Sequence, residues 1–168
     1  MKDRLEDTMN FKGFKKREFP VRRSVVYILF VVHGNGQEIP IYVGQTNSMD
    51  ERIGDYLRSQ RSLNPQGDAV FGRFNPTNFK VGFAVWYFQE KGCRVFLRYR
   101  ATEDPKREER QWLATFYRYP LLNDLLLDEL KDLNDDKMNR TPLRQGEVLS
   151  REKARIIEYL ERIIKGCG

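Results

Sequence analysis

The chain has 168 residues, 40% of them hydrophobic and 12% aromatic, which is enough to bury a core as one domain and excludes a disordered chain. Two cysteines and one histidine exclude a disulfide framework and argue against a structural zinc site. The net charge of +6 favours a polyanionic partner. Neither a signal peptide nor an apolar run of the roughly 20 residues that span a bilayer is found, so we expect a cytoplasmic protein without membrane contact.

Residues 1–23 are predicted to form a basic N-terminal arm. Its cations, interleaved with phenylalanines, are Lys2, Arg4, Lys12, Lys15, Lys16, Arg17, Arg22 and Arg23. The arm either follows a phosphate backbone or is a solvated lead-in whose phenylalanines pack on the domain.

A β-hairpin is predicted next. Residues 25–32 are almost all β-branched, aromatic or aliphatic, which indicates a buried strand. Residues 33–37 contain the Asn-Gly pair that is typical of a hairpin turn. Residues 39–43 return antiparallel, and Pro40 marks an edge or a bulge because it has no N–H to donate to the ladder.

The length of the turn decides which side chains share a face of this hairpin. A two-residue turn at Gly34-Asn35 or Asn35-Gly36 pairs odd-numbered positions with even-numbered ones, so Tyr27 lies opposite Tyr42 or Gly44. In both cases Tyr27 and Tyr42 lie on one face. A loop of the other parity would separate them.

A capping box at residues 48–51 predicts the start of a helix, with Ser48 as N-cap and Glu51 reaching back to it. The inward stripe of this helix is formed by Met49, Ile53 and Leu57. Arg52 and Tyr56 are four residues apart, so they lie together on the neighbouring face.

Residues 58–80 are predicted to be a loop or small insertion, punctuated by glycine and proline. Its basic residues interleave with phenylalanines, and this pattern favours recognition of a nucleic-acid target through Arg58, Arg61, Arg73 and Lys80. Residues 80–88 and 94–99 are predicted to be two further strands joined by a short turn.

Three helices are predicted after these strands. The first covers residues 105–117 with Asp104 as N-cap, the second 124–133, and the third 151–165 with Ser150 as N-cap. The third helix carries an apolar stripe that is either core or the face of a homodimer, formed by Ile156, Ile157, Leu160, Ile163 and Ile164.

One carboxylate in the first of these helices points toward the core. Glu109 falls within the apolar stripe of Trp112, Leu113 and Phe116, whereas Glu108 lies at its edge. A carboxylate in that position is costly unless something pairs with it. The partner is either an arginine or a divalent cation such as Mg²⁺, which proteins hold with one or two carboxylates together with substrate phosphate and water.

In their order along residues 25–123, these features resemble the GIY-YIG nuclease family. The matching segments are Val25-Val26-Tyr27, Tyr42-Val43-Gly44-Gln45-Thr46, Arg52, Tyr56, Glu109-Arg110-Gln111-Trp112-Leu113 and Pro120-Leu121-Leu122-Asn123. Arg52 follows Gly44 by eight residues, as the family expects, and Tyr56 stands where members carry His or Tyr. Each triplet alone has little value, but the combination is specific.

The resemblance implies hydrolysis of a DNA phosphodiester with one Mg²⁺ or Mn²⁺. Tyr27 would be the general base or would orient the attacking water, and Arg52 would neutralise the pentavalent phosphate. Glu109 would hold the metal. Tyr42 and Tyr56 would hydrogen-bond the scissile phosphate or the attacking water.

The chain departs from the family pattern in several places. Val25 stands where the family name has its first glycine, and two of the connecting segments are longer than in compact members. The spacing from Glu109 to Asn123 is also stretched, which leaves Glu108 as a rival metal ligand. Asn123 would brace the site from behind, or it merely ends one helix and caps the next.

We therefore expect an α/β (α+β) single domain, a small antiparallel β-sheet flanked by helices and GIY-YIG-like. Residues 24–124 would form the nuclease core, with an insertion at about 58–80 and a C-terminal helical extension at 125–168. The expected function is a Mg-dependent, restriction-type DNA endonuclease. The alternatives are a structure-specific repair or recombination nuclease, a non-catalytic nucleic-acid-binding module on the same fold, and an RNA-binding protein.

Overall fold

A four-stranded antiparallel sheet organises the chain, in the order β1-β4-β2-β3. The computed structural model describes residues 7–10, 23–32, 34–61, 75–136 and 141–165, with the backbone alone at 7–10, 60, 61 and 142. The strands are β1 (Asp7–Asn10), β2 (Val25–Val32), β3 (Glu38–Thr46) and β4 (Arg94–Ala101). The helices are α1 (Met49–Arg61), α2 (Pro76–Glu90), α3 (Pro105–Thr115), α4 (Asp128–Asp135) and α5 (Pro142–Lys165), with a 3₁₀ turn at Leu122–Asp124. The predicted class, a small antiparallel sheet flanked by helices, is confirmed.

Helices cover both faces of the sheet. The odd-numbered residues of β2 belong to the larger core, which also contains residues from α1, α2, α4 and α5. The even-numbered residues Val26, Ile28 and Phe30 belong to a second cluster, against which α3 packs through Trp112 and Phe116. Burial on both faces explains why β2 is a continuous apolar run rather than an alternating one.

A bulge in β3 brings the two strand tyrosines onto one face. Tyr27 pairs with Gly44 and Leu29 with Tyr42, but Phe30 pairs with Pro40, so the register shifts at this point and Ile41 is the extra residue. The turn between Val32 and Glu38 has the parity that would have separated the tyrosines, and the bulge restores the predicted arrangement. Pro40 therefore marks a bulge, on a strand at the end of the described sheet.

The strand predicted at residues 80–88 is wrong, because this segment lies within helix α2. Asn75 is the N-cap, its side chain accepting a hydrogen bond from the Asn78 N–H, and Pro76 occupies the first turn. The helix is apolar on all sides because α1 and α5 pack around it. A segment without helical periodicity cannot be told from a buried strand by pattern alone.

The last helix begins earlier than predicted, at Pro142 rather than near Arg151. Thr141 caps it, accepting a hydrogen bond from the Arg144 N–H through its hydroxyl oxygen. The predicted stripe is confirmed as core, since Ile156, Leu160 and Ile163 are fully buried within the same chain and Ile157 and Ile164 pack against them. Its fully buried residues are therefore core, and the homodimer stays a prediction. Even α5 lacks the apolar length to cross a bilayer, as do the other described helices.

Two of the predicted segments are only partly described. Residues 7–10 of the predicted arm form β1, which pairs antiparallel with β4 and so belongs to the sheet. The rest of the arm up to residue 22 lies outside the described residues. Of the predicted insertion, residues 58–61 end α1 and residues 76–80 begin α2, and residues 62–74 lie outside the description. Helices α4 and α5, predicted as an extension, contribute to the larger core.

Candidate active site

Three tyrosines meet on the face of the β2–β3 hairpin that packs against α1 and α2. The hydroxyl oxygens of Tyr27 and Tyr56 are 2.5 Å apart and share a hydrogen bond. The ring centroids of Tyr27 and Tyr42 are 6.2 Å apart, with the planes tilted by 49°. Tyr27 and Tyr56 are 1% and 0% exposed, whereas Tyr42 is 8% exposed. Tyr42 is therefore the phenol of the three with the most direct access to a ligand.

Gly44 makes room for this arrangement. A Cβ at position 44 would lie 2.5 Å from both Cζ and Oη of Tyr27, and 2.8 Å from Cε1 of Tyr42. The tip of the Tyr27 ring thus occupies the space in which any other residue would place its side chain. The requirement for glycine here is steric, not a matter of backbone conformation.

The beginning of α1 fixes the third tyrosine and an arginine. Ser48 caps the helix as predicted, accepting a hydrogen bond from the Glu51 N–H at 3.4 Å. The Ser48 N–H donates a hydrogen bond to the hydroxyl oxygen of Thr46, whereas the capping-box prediction assigns this acceptor role to Glu51. The chain thus passes from β3 into α1 within two residues. This short connection delivers Arg52 and Tyr56 to the tyrosine face of the hairpin.

The guanidinium of Arg52 lies beside the phenols and is held by a residue that sequence reasoning missed. Its Nη1 donates a hydrogen bond to Oδ1 of Asn78, in the first turn of α2, at 3.2 Å. Burial disfavours the charge of Arg52, but interaction with Tyr27, Tyr56 and Tyr42 raises its pKa overall. Asn78 escaped prediction because its segment was assigned to the insertion. An N-cap pattern of Asn75 followed by Pro76 was the available signal.

Adjacent glutamates of α3 have different surroundings. Glu108 forms an ion pair with Arg100 of β4, and its second oxygen is buried without a hydrogen-bond partner. Glu109 is partly buried, has no hydrogen bond or ion pair with any described residue, and has a pKa raised by desolvation. The predicted alternative, a buried Glu-Arg pair, therefore applies to Glu108. Glu109 is the carboxylate left without a protein cation among the described residues.

The charge of Glu109 reaches the phenols even though α3 packs on the opposite face of the sheet. Burial raises the pKa of Tyr42, and the Glu109 carboxylate raises it further. Burial also raises the pKa of Tyr27 well above its ordinary value, with contributions from Tyr42 and, more weakly, from Glu109. β3, which carries Tyr42 and Gly44, ends the described sheet.

Asn123 fastens the same edge from outside. Its Oδ1 accepts a hydrogen bond from the Val43 N–H at 2.9 Å, and its Nδ2 donates to the Val43 carbonyl at 2.7 Å. The amide thereby pairs with both backbone groups of the residue between Tyr42 and Gly44, as a neighbouring strand would. Asn123 is thus a positioning residue, and the structure gives it the bracing role of the two that sequence left open.

All three phenols are neutral in this environment. Burial raises the pKa of Tyr56 well above its ordinary value, repulsion from the ionised forms of Tyr27 and Tyr42 would raise it further, and Arg52 opposes the shift. A neutral phenol both donates and accepts hydrogen bonds but is a poor proton acceptor at neutral pH. Of the two roles predicted for Tyr27, the geometry favours orientation of a ligand or water over proton abstraction.

Of the four predicted DNA-binding residues, the structure describes the side chains of two, Lys80 and Arg58. Lys80 is a wrong assignment, because it is buried in α2 and its ammonium donates a hydrogen bond to the Leu125 carbonyl at 2.8 Å. Arg58 is exposed on α1 and paired with Asp55. Arg61 ends α1, but its side chain and the whole of Arg73 lie outside the described residues.

The donor set fits a single hard cation at Glu109. Glu109 offers a partly desolvated carboxylate with no competing cation among the described residues, and its charge contributes to the raised pKa of Tyr42 and Tyr27. In the described ranges no three His, Cys, Asp or Glu side chains come together as a metal-binding group. One carboxylate with substrate phosphate and water is an ordinary environment for Mg²⁺.

Comparisons with known proteins give no independent identification. Scans against protein-family models, curated proteins and solved structures found no match to this chain.

Proposed function

We propose that this chain is a divalent-metal-dependent DNA endonuclease of the GIY-YIG type, using Mg²⁺ or Mn²⁺. One observation carries the proposal. The Glu109 carboxylate has no cation from the described protein residues, yet it acts electrostatically on two phenols that also interact with Arg52. A carboxylate that is electrostatically coupled to a cluster of hydroxyl groups, with a guanidinium at that cluster, suits a phosphodiester, whose reaction centre needs both cationic and hydrogen-bonding contacts.

The side chains divide the work as follows. Arg52, with one N–H held by Asn78, presents its remaining donors to the non-bridging oxygens of the scissile phosphate. Tyr42, the most exposed phenol, hydrogen-bonds the same phosphate. Tyr27 orients the attacking water through its hydroxyl, which Tyr56 fixes by the shared hydrogen bond.

Glu109 would hold the metal ion, which when bound would supply Lewis acidity at the leaving oxygen. Asn123 keeps β3 in place, so that the phenol of Tyr42 and the gap at Gly44 remain aligned. We further propose that cleavage is restriction-type, and that the net charge of +6 helps to attract the DNA.

Adjacent glutamates provide the test. Plasmid nicking is measured in Mg²⁺, Mn²⁺ and EDTA for wild type, Glu109→Gln and Glu108→Gln. Glu109→Gln is expected to lower the rate at least about 100-fold, comparable to the removal of one preorganised charge-stabilising group. Glu108→Gln breaks the pair with Arg100, so it should lower stability by on the order of 2 kcal/mol and leave the rate per folded molecule unchanged.

Absence of nicking by wild type with any divalent ion would refute the enzyme and favour a binding module on the same fold. Equal losses in both variants would refute Glu109 as the ligand. Cut positions on a long DNA of known sequence then separate the two nuclease classes. Cuts at one short word support a restriction-type enzyme, and cuts at branches or lesions support a repair enzyme.

A further inference from the structure

The two flanks of α3 differ in charge and in what they face. One flank is directed to β4, because Glu108 pairs with Arg100 and Trp112 lies with its ring centroid 6.0 Å from the guanidinium carbon of Arg100. A cleft of about 590 Å³ lies on this side, and its charged lining comprises the carboxylates of Glu103, Asp104 and Glu108 and the guanidinium groups of Arg100 and Arg107. The acidic groups outnumber the basic ones, so this flank does not favour a polyanion.

The opposite flank carries cations. At about 100° per residue, Glu108 lies about 100° to one side of Glu109 and Trp112 about 60° to the same side. Lys106 and Arg110 lie about 60° and 100° to the other side. Since the first direction leads to β4, the second leads toward β3, which α3 contacts and which carries Tyr42 and Gly44. The cationic flank therefore borders the candidate active site.

Both cations are available to a partner. Lys106 and Arg110 are exposed, and neither has an ion pair in the part of the chain that the structure describes. Their positions are unfavourable for the helix itself. A cation in the first turn opposes the helix dipole, and like charges four residues apart repel each other. A polyanion bound along this flank relieves both effects.

We propose that Lys106 and Arg110 form a binding surface for the backbone phosphates of duplex DNA next to the scissile phosphate. The inference rests on the proposed function for its ligand. Contacts of this kind carry no sequence information, and they set the position and orientation of the duplex relative to Glu109. Each contact releases condensed counterions, so affinity falls with salt in proportion to the number of contacts.

Arg107 provides a matched control on the same helix. It is exposed, carries the same charge as Arg110 and lines the cleft, about 160° around the helix from Glu109 and therefore on its outward side. The variants Lys106→Ala, Arg110→Ala, their combination and Arg107→Ala are made in a Glu109→Gln parent, which separates binding from cleavage. Dissociation constants for a labelled DNA duplex of mixed sequence are measured in EDTA at salt concentrations from 50 to 300 mM. An RNA duplex serves as the competitor.

Each single variant, Lys106→Ala or Arg110→Ala, should weaken binding about eightfold at about 0.1 M salt. The steepness with which the logarithm of the association constant falls with the logarithm of salt concentration should decrease by about 0.9 in each single variant and by about 1.8 in the double variant. Arg107→Ala should leave the slope unchanged. An unchanged slope in the double variant, or an equal fall in Arg107→Ala, overturns the surface even if the wild type cleaves DNA. Preference for the RNA competitor overturns the assignment to duplex DNA.

If the wild type cleaves nothing but the double variant still loses two contacts, the surface stands and the proposed catalysis falls. If the parent binds no duplex at any salt concentration, both are overturned. Circular dichroism and unfolding midpoints of each variant show that α3 remains folded, since loss of first-turn cations is expected to stabilise the helix slightly.

Discussion

The phenol of Tyr27 lies directly over Gly44 of the neighbouring strand, in the space where a side chain would begin. A Cβ at residue 44 would come within 2.5 Å of the Tyr27 hydroxyl oxygen. Because Tyr27 is itself hydrogen-bonded to Tyr56, a displacement here is passed to a second phenol. One backbone position thus controls the geometry of the tyrosine cluster.

Gly44→Ala should therefore disable the site more than the fold. We expect a loss of stability of about 1–3 kcal/mol from overpacking. The nicking rate of the folded fraction should fall about 100-fold, because misplacement by about 1 Å at a reacting centre has effects of this size. The control is Gly34→Ala, in the turn, where nothing lies within 4 Å of the added Cβ. Full activity of Gly44→Ala would contradict the role assigned to the tyrosine cluster.

Asn75 and Asn78 lie together at the start of α2, but their replacement by alanine should have different effects. Asn78→Ala frees the Arg52 guanidinium, so we expect kcat to fall about tenfold with stability nearly unchanged. Asn75→Ala removes the N-cap, so it should cost about 1 kcal/mol of stability and spare kcat. Steady-state nicking kinetics and urea unfolding of both variants check this. Similar kinetic defects in the two would show that Asn78 acts through helix stability alone.

The amide of Asn123 should be essential to the edge of β3. Asn123→Ala leaves the N–H and carbonyl of Val43 without their partners, which should lower stability by about 2–4 kcal/mol. Asn123→Asp keeps an acceptor for the N–H but loses the donor to the carbonyl, so its loss should be smaller. Hydrogen exchange at the Val43 amide should accelerate in the alanine variant far more than in the aspartate variant. Equal exchange rates would contradict the pairing.

Lys80 should give the fold a distinctive dependence on pH. Burial lowers the pKa of Lys80 from its ordinary 10.5 to about 8, with Asp124 opposing this shift. Between these values the unfolded chain binds more protons than the folded one, so stability from this group rises with pH above about 8 and is fully gained near 10.5. The slope is about 1.4 kcal/mol per pH unit.

Lys80→Met has no such group and serves as the reference. Between pH 8 and 10.5, the unfolding free energy of the wild type should rise by about 3 kcal/mol relative to that of Lys80→Met. Taking the difference removes the tyrosine titrations common to both proteins. Urea unfolding at half-unit intervals measures it. A pH-independent difference would mean that the pKa of Lys80 is the same in the folded and the unfolded chain.

What the sequence predicted well depended on local rules. The strand from Val25, the helix start at Ser48 and the helix start at Asp104 are each confirmed, because β-branched runs and N-caps act within a few residues. The shared face of Tyr27 and Tyr42 is also confirmed, although the turn differs from the one assumed and a bulge restores the parity.

What it predicted badly depended on long-range packing. Residues 80–88 show no helical periodicity, because this part of α2 is almost entirely buried and has no polar face. The hydrogen bond from Arg52 to Asn78 and the burial of Lys80 both follow from that helix, so neither could be foreseen. The separate surroundings of Glu108 and Glu109 required the position of Arg100, which belongs to another strand.

The extra residue at Ile41 also insulates the phenol pair from the hairpin loop. Any change of loop length by one residue would ordinarily invert the orientation of everything beyond it. The bulge lies between the hairpin loop and the tyrosines, so loss or gain of the bulge can compensate for a one-residue change in loop length. Homologous chains with longer or shorter loops could therefore keep the same pair of hydroxyls in register.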